Sequence, residues 1–405
     1  MLSKRSRYAE NPIEEEDRVA EALMKKGRHV IQLNRGDPPV YFPTPKYIID
    51  AYSRALQEGR TTYSRAEGVR VLVEAVSKRY RSLYNMRVDE DSIIVTQGVS
   101  EAISFINSSL IDGGDAAIIL KPYYPIYVPS LKIFGGRPFV GSYDENNNWD
   151  IDIDNLERRL RKLSATQRKR IKYIMITNPN NPTGTVLSRR ALENVVELAN
   201  EHSLLLISDE IYDEIVYNGA KFTSIGQLAK GVPHMILNGS SKIFDSTGFR
   251  IGFMIVPDDD KVSSALKLKL SDYAKARLSA NTPAQYAVAE AMLNVKEHRK
   301  AIRAMVGSIE SRVNYATKLI AESEFFSIVE PNGAFYLFPR VDLKSMGFKN
   351  DAQFVNELLN QEYVQLTRGS GFGMPSHIRI VALPPKDILG YAINKINDFC
   401  KKNAK

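Results

Sequence analysis

Cysteine is nearly absent: Cys400 stands alone in 405 residues. A single thiol excludes an internal disulfide framework and a thiolate metal cage, and no metal site is expected. It also fits a reducing compartment, so a cytoplasmic location is expected. No run of about eighteen apolar residues exists, so no spanning helix and no membrane partner are expected. Near the N-terminus Lys4, Arg5 and Arg7 mix with Glu14, Glu15, Glu16 and Asp17. An apolar core followed by a small-residue cleavage site is missing there, which argues against a secretory signal. Internal repeats and low-complexity linkers are missing too.

What is present is ordinary for a globular enzyme: 43% hydrophobic and 25% charged residues. The length exceeds what one compact core usually holds, so two domains are expected. A net charge of +8 raises the idea of a nucleic-acid partner. The basic residues are dispersed, however, and the runs at 158–161 and 168–172 sit beside helix or strand ends, as solvated faces do. No nucleic-acid partner is expected.

Along the chain, short apolar runs alternate with helical patterns. Ile93–Thr96, Ala116–Leu120, Tyr173–Thr177, Leu204–Ser208, Met235–Leu237 and Phe253–Val256 read as strands. Their lack of polar alternation predicts burial on both faces, hence a mostly parallel sheet with helices on each side, an α/β fold. Thr44-Pro45 predicts a helix over 45–58 with Thr44 as its cap, and one long helical segment is expected over 283–323. Residues 46–289 are expected to form a large domain. Residues 290–405, joined by the segment 1–45, are expected to form a smaller α/β domain. In such sheets ligands sit beyond the carboxyl ends of the strands.

Several polar residues follow those strands directly. The stretch Asn238-Gly-Ser-Ser-Lys-Ile-Phe-Asp-Ser-Thr-Gly-Phe-Arg-Ile-Gly252 sets Lys242 behind Ser240 and Ser241, with Arg250 further on. An amine able to form a Schiff base, beside phosphate-sized donors, points to pyridoxal 5'-phosphate; a solvated polar loop is the alternative. Gly98, Val99 and Ser100 lie where a strand gives way to a helix, a donor nest suited to a phosphate held also by Ser241 and Arg250. Asp209 follows a buried strand, where a protonated pyridine nitrogen, a turn or a helix cap would satisfy it. Tyr212 either hydrogen-bonds the same ligand or packs, and Tyr124 either stacks on a planar ring or is structural. Arg379, inside the apolar run 378–383, needs a partner: a substrate carboxylate or an ion pair. Gly36 supplies a turn or lets a ligand approach the backbone.

Taken together, these residues resemble the class I aminotransferases of the fold-type I pyridoxal-phosphate enzymes. The resemblance runs from about residue 33 to 383. It is carried most specifically by Asn178-Pro-Asn-Asn-Pro-Thr-Gly184, Asp209-Glu-Ile-Tyr212, and Ser241-Lys242 with Arg250. It implies a seven-stranded, mostly parallel sheet in the large domain. It also implies Lys242 as the Schiff-base lysine, Asp209 as the partner of the ring nitrogen, and Tyr212 and Asn181 at the ring hydroxyl. By the same likeness Gly98, Val99, Ser100, Ser241 and Arg250 hold the phosphate, and Tyr124 stacks on the ring. Arg379 with Asn181 would hold the substrate carboxylate, with Gly36 on the substrate side. Tyr63 would reach the cofactor phosphate of a neighbouring subunit, so a homodimer is implied.

One departure stands out. Many members carry serine three residues before the lysine, where this chain has Gly239. A phosphate contact is therefore lost or taken over by Ser240. That glycine, Asn238-Gly-x-Ser-Lys242 and Arg277-Leu-Ser-Ala-Asn-Thr-Pro-Ala-Gln285 resemble the alanine aminotransferase branch, which implies L-alanine and 2-oxoglutarate as substrates. Donors such as aspartate or aromatic amino acids, or a carbon–sulfur lyase reaction on the same fold, are the alternatives. A hydrolase using Ser240 or Ser241 with Lys242 leaves Asp209, Tyr212 and the 178–184 loop without a role.

Overall fold

The computed structural model describes residues 2–9, 14–258 and 260–404. Its central feature is a twisted sheet of seven long strands with a two-residue strand at one edge. In spatial order they are Ile93–Thr96, Gly252–Ile255, His234–Gly239, Leu205–Asp209, Ile171–Thr177, Ala116–Lys121, Arg137–Asp144 and Asp150–Ile151. Gly252–Ile255 runs antiparallel to both neighbours and Asp150–Ile151 runs antiparallel to its one neighbour; the remaining pairings are parallel.

Side chains alternate between two hydrophobic clusters. Ile118, Ile174, Ile176 and Leu206 enter one, while Ile119, Tyr173, Met175 and Ile207 enter the other. Each strand is thus apolar on both faces, which is why its sequence reads as an unbroken apolar run. Helices Val99–Leu110, Tyr127–Ile133 and Lys261–Arg277 cover one face, through residues such as Ile103, Leu131 and Leu270. Helices Arg70–Tyr84, Arg189–Glu201 and Thr282–Leu293 supply Val76, Val195 and Val288 to the other cluster. Burying one such aliphatic side chain contributes about 1.5–3 kcal/mol.

The chain's two ends meet beside this sheet. Ile31–Gln32 pairs in parallel with Val364–Gln365, and the Val381 N–H donates to the Leu33 carbonyl at 2.9 Å. Ile378–Val381 lies between Tyr336–Leu337 and Thr367–Arg368 in a three-stranded antiparallel sheet.

Three local expectations need correction. The helix Lys46–Gln57 is preceded by Pro45 in the cap position without a side-chain cap; the Thr44 hydroxyl instead donates to the Asp245 carbonyl. The long helical segment is two helices, Thr282–Leu293 and Val295–Ala321, divided at Asn294, whose side chain caps the second. Strand Arg137–Asp144 was not expected, because its partly exposed residues break the apolar run. No helix among the described residues is long and apolar enough to cross a membrane.

Candidate active site

The strand ends deliver most of the singled-out residues to one cavity of about 470 Å³. Asp209 is the last residue of its strand, and Lys242 follows His234–Gly239 in the next one. Val99 and Ser100 open the helix after Ile93–Thr96. From these elements Val99, Ser100, Asp209, Tyr212, Ser241 and Lys242 line the cavity. Tyr124, Asn181 and Arg250 line it from loops, Gly36 from the N-terminal segment and Arg379 from the C-terminal sheet.

Asp209 is buried, and desolvation pushes its carboxyl up to about 6. The Tyr127 hydroxyl, 2.6 Å away, and the Ile211 N–H, 3.3 Å away, donate to it and oppose that rise. Burial lowers the Lys242 amine to about 8, against the pull of Asp37. The amine donates to the Gly36 carbonyl at 2.6 Å. A fraction of Lys242 is therefore neutral near pH 7–8 and able to take a proton.

Arg379 is buried between Tyr336 and Phe372, its guanidinium carbon 4.9 and 4.8 Å from the two ring centres. It donates to the Asn34 carbonyl at 2.5 Å and to Asn181 Oδ1 at 3.0 Å, which leaves its Nε without a partner. No carboxylate answers its charge in these bonds. The Tyr212 and Tyr336 hydroxyls share a hydrogen bond of 2.8 Å, and burial holds both phenols above their ordinary value.

The phosphate-sized end is built by close backbone approach. Gly98 caps its helix at φ 73°, without a side-chain cap, and a Cβ there would lie 2.6 Å from Arg250 Nη2. A Cβ on Gly252 would lie 2.6 Å from the Gly98 carbonyl carbon, and one on Gly239 would lie 2.7 Å from the Ile251 carbonyl oxygen. Gly239 is thus required by strand packing in this chain. A side chain at that position has no room, whichever group the neighbouring donors hold.

Three of the expected site residues are not part of the cavity lining: Gly98, which packs against Arg250, Ser240 and Tyr63. Ser240 is fully buried outside the cavity lining, its hydroxyl donating to the Ile251 carbonyl at 3.3 Å, so it does not take over the contact that Gly239 lacks. Tyr63 is 78% exposed and lines a separate depression with Gln97 and Asn281. Gly36 is not held in a positive-φ turn; a Cβ there would strike the Tyr336 hydroxyl. Sequence reasoning missed Asn34, Arg35, Asp37, Tyr127, Thr247 and Tyr336 as members of the cavity wall. Asn34, Arg35 and Asp37 flank Gly36 and Thr247 lies within 238–252, whereas no sequence signal marked Tyr127 or Tyr336.

The family model for class I and II aminotransferases matches residues 28–396. The chain belongs to this family. The aminotransferase superposes on an alanine aminotransferase from Pyrococcus furiosus with a TM-score of 0.92 at 35% identity, covering 99% of this chain and 100% of that one. It is 34% identical over 384 residues to an alanine aminotransferase of Mycobacterium tuberculosis, covering 94% of this chain and 87% of the relative. It is 31% identical over 388 residues to an asparagine–oxo-acid transaminase of Streptococcus mutans, covering 95% and 94%.

As a member of this family and fold, the aminotransferase depends on pyridoxal 5'-phosphate. The residues present fit that group. The buried Asp209 carboxylate suits a protonated ring nitrogen, and the uncapped helix start beside Ser241 and Arg250 suits a phosphate, with glycines at 98 and 252 allowing close backbone approach.

Proposed function

We propose that this aminotransferase exchanges the amino group of L-alanine with 2-oxoglutarate, giving pyruvate and L-glutamate. The observation that carries the reading is the convergence of the Lys242 amine, the buried Asp209 carboxylate and the buried Arg379 guanidinium on one cavity. Relatives named alanine aminotransferase support the choice of donor.

When bound, pyridoxal 5'-phosphate supplies an aldehyde that carries the amino group and a ring that accepts the electrons of the substrate α-carbon. Lys242 would anchor that aldehyde as a Schiff base, and its free amine would act as general base and acid, moving the proton between the substrate α-carbon and the cofactor carbon that bears the amino group. Its lowered proton affinity suits both tasks. Asp209, steadied by Tyr127 and the Ile211 N–H, keeps the ring nitrogen protonated. Tyr212 and Asn181 would hold the ring hydroxyl, and Tyr124 would stack on the ring. Val99 and Ser100 with Gly98, Ser241 and Arg250 hold the phosphate. Arg379 takes the substrate α-carboxylate as a planar fork, with Asn181 beside it and Gly36 on the substrate side. The enzyme acts as a homodimer in which Tyr63 reaches the phosphate of the neighbouring subunit. Residues 46–289 form the cofactor domain, and 290–405 with 1–45 form the smaller one.

The test is the visible spectrum of the purified enzyme before and after L-alanine, without any oxo acid. Loss of the lysine-bound cofactor band, with one pyruvate formed per site, is expected. If alanine leaves the band unchanged while aspartate or asparagine removes it, the donor is wrong and the assigned chemistry stands.

A further inference from the structure

We propose that Arg35 recognises the distal carboxylate of the dicarboxylic substrate, an inference that rests on reading 2-oxoglutarate and L-glutamate as one of the two substrate pairs. Its backbone position is fixed on both sides. The Asn34 carbonyl accepts from Arg379 Nη2 at 2.5 Å, and the Gly36 carbonyl accepts from Lys242 Nζ at 2.6 Å. Arg35 thus stands in the chain between the residue bonded to Arg379 and the residue bonded to Lys242, and it lines the same cavity.

Among the described residues, four cationic side chains line that cavity: Arg35, Lys242, Arg250 and Arg379. Lys242 is occupied with chemistry, Arg250 stands against Gly98 at the phosphate end, and Arg379 serves the α-carboxylate. A five-carbon dicarboxylate brings a second charge into the cavity, and an unpaired carboxylate there is costly. Arg35 is the cation left to meet it.

The resting contact of Arg35 suits exchange. Asp17, on helix Glu14–Lys25, approaches Arg35 Nη2 only to 3.6 Å. The other oxygen of that carboxylate, Oδ1, is held by the Asn34 and Gln365 side-chain amides, which donate to it at 2.8 and 2.7 Å. The other nearby carboxylate, Asp37, accepts from the Thr247 hydroxyl at 2.6 Å. The Arg35 side chain is 59% exposed, and its guanidinium makes no hydrogen bond among the described residues. Its donors are thus free to form a bidentate pair with an incoming carboxylate. With a small monocarboxylic substrate the guanidinium stays near Asp17; with a dicarboxylic one it turns inward. One cavity then serves two substrates of different charge.

The experiment uses the cofactor-loaded full chain and the variants R35A and R35K. Glutarate and butyrate affinities are measured by calorimetry, and kcat/KM is measured for the separate L-glutamate and L-alanine half-reactions. R35A is expected to lose about 10- to 100-fold in glutarate affinity and in glutamate kcat/KM, with butyrate and alanine affected at least tenfold less. R35K recovers part of the glutarate affinity. Equal losses for mono- and dicarboxylates, or none for glutarate, would overturn the assignment. If wild-type enzyme rejects alanine but R35A still loses glutarate selectively, the donor reading fails and the role of Arg35 stands.

Discussion

Tyr127→Phe isolates a single hydrogen bond at the base of the cavity. The Tyr127 hydroxyl donates to Asp209 Oδ2 at 2.6 Å and lies 2.9 Å from the Thr177 hydroxyl. Burial raises Asp209 to about 6, and the Tyr127 bond is the largest opposing influence. A hydrogen bond to a charged group is worth about 1.5–3 kcal/mol, or roughly 1–2 pK units. Without it, Asp209 titrates near ~7–8 in the apoenzyme and is half or more protonated at neutral pH. A protonated carboxyl cannot stabilise a pyridinium. Cofactor affinity of the apoenzyme, followed by equilibrium dialysis across pH 5–9, is therefore expected to weaken below about pH 6 in wild type. In Y127F the same break moves upward by about 1–2 units. Ionisation of the cofactor phosphate is common to both proteins and cancels in the comparison. A break at the same pH in both, with Y127F folded as judged by its melting curve, would refute the reasoning.

Asp209→Asn tests the cost of that buried charge. Asp209 stands above its ordinary 3.8 at about 6, so the stability it contributes is complete below pH ~4 and is lost as pH rises through 6. The D209N apoenzyme should exceed wild type by about 1–3 kcal/mol in urea unfolding above pH 7, with no advantage below pH 4, while binding the cofactor more weakly. Gly239→Ala forces a Cβ to 2.7 Å from the Ile251 carbonyl and should cost about 1–3 kcal/mol, read as a lower melting temperature. An unchanged melting temperature would show that the strands part freely there. Arg379→Lys keeps the charge but loses the fork, so kcat/KM should fall by about 10- to 100-fold for alanine and glutamate alike. A loss confined to glutamate would exchange the roles given to Arg379 and Arg35.

The parts legible in the sequence were those whose environment is set by their own strand. Residues such as Ile174 and Met175 face opposite clusters, so the two-sided burial was written into adjacent positions. Lys242, Asp209, Asn181 and Arg250 stood in contiguous motifs at strand ends, and the cavity collects all four. What escaped depends on contacts between distant segments. Tyr127 reads as a helix residue until it meets Asp209, 82 positions away, and Tyr336 gains its hydrogen bond from Tyr212, 124 positions away. Ser240 and Ser241 are adjacent hydroxyls, yet only Ser241 lines the cavity while Ser240 bonds the Ile251 carbonyl, a difference composition cannot express. Thr44 failed as a cap because a carbonyl 201 residues away competed for its hydroxyl.

The bond between Arg379 and the Asn34 carbonyl spans 345 residues. On a ribosome making about 5–20 residues per second, Asn34 emerges roughly 20–70 s before its partner. Through that interval the central sheet, complete by residue 255, can form and hold Lys242 in place. Yet the cavity still lacks Arg379, and Ile31–Gln32 does not pair until Val364–Gln365 arrives. Under the proposed roles, chemical competence waits for the segment 378–381. A nascent chain stalled before Ile378 holds its lysine but lacks the guanidinium that would orient an amino acid against it.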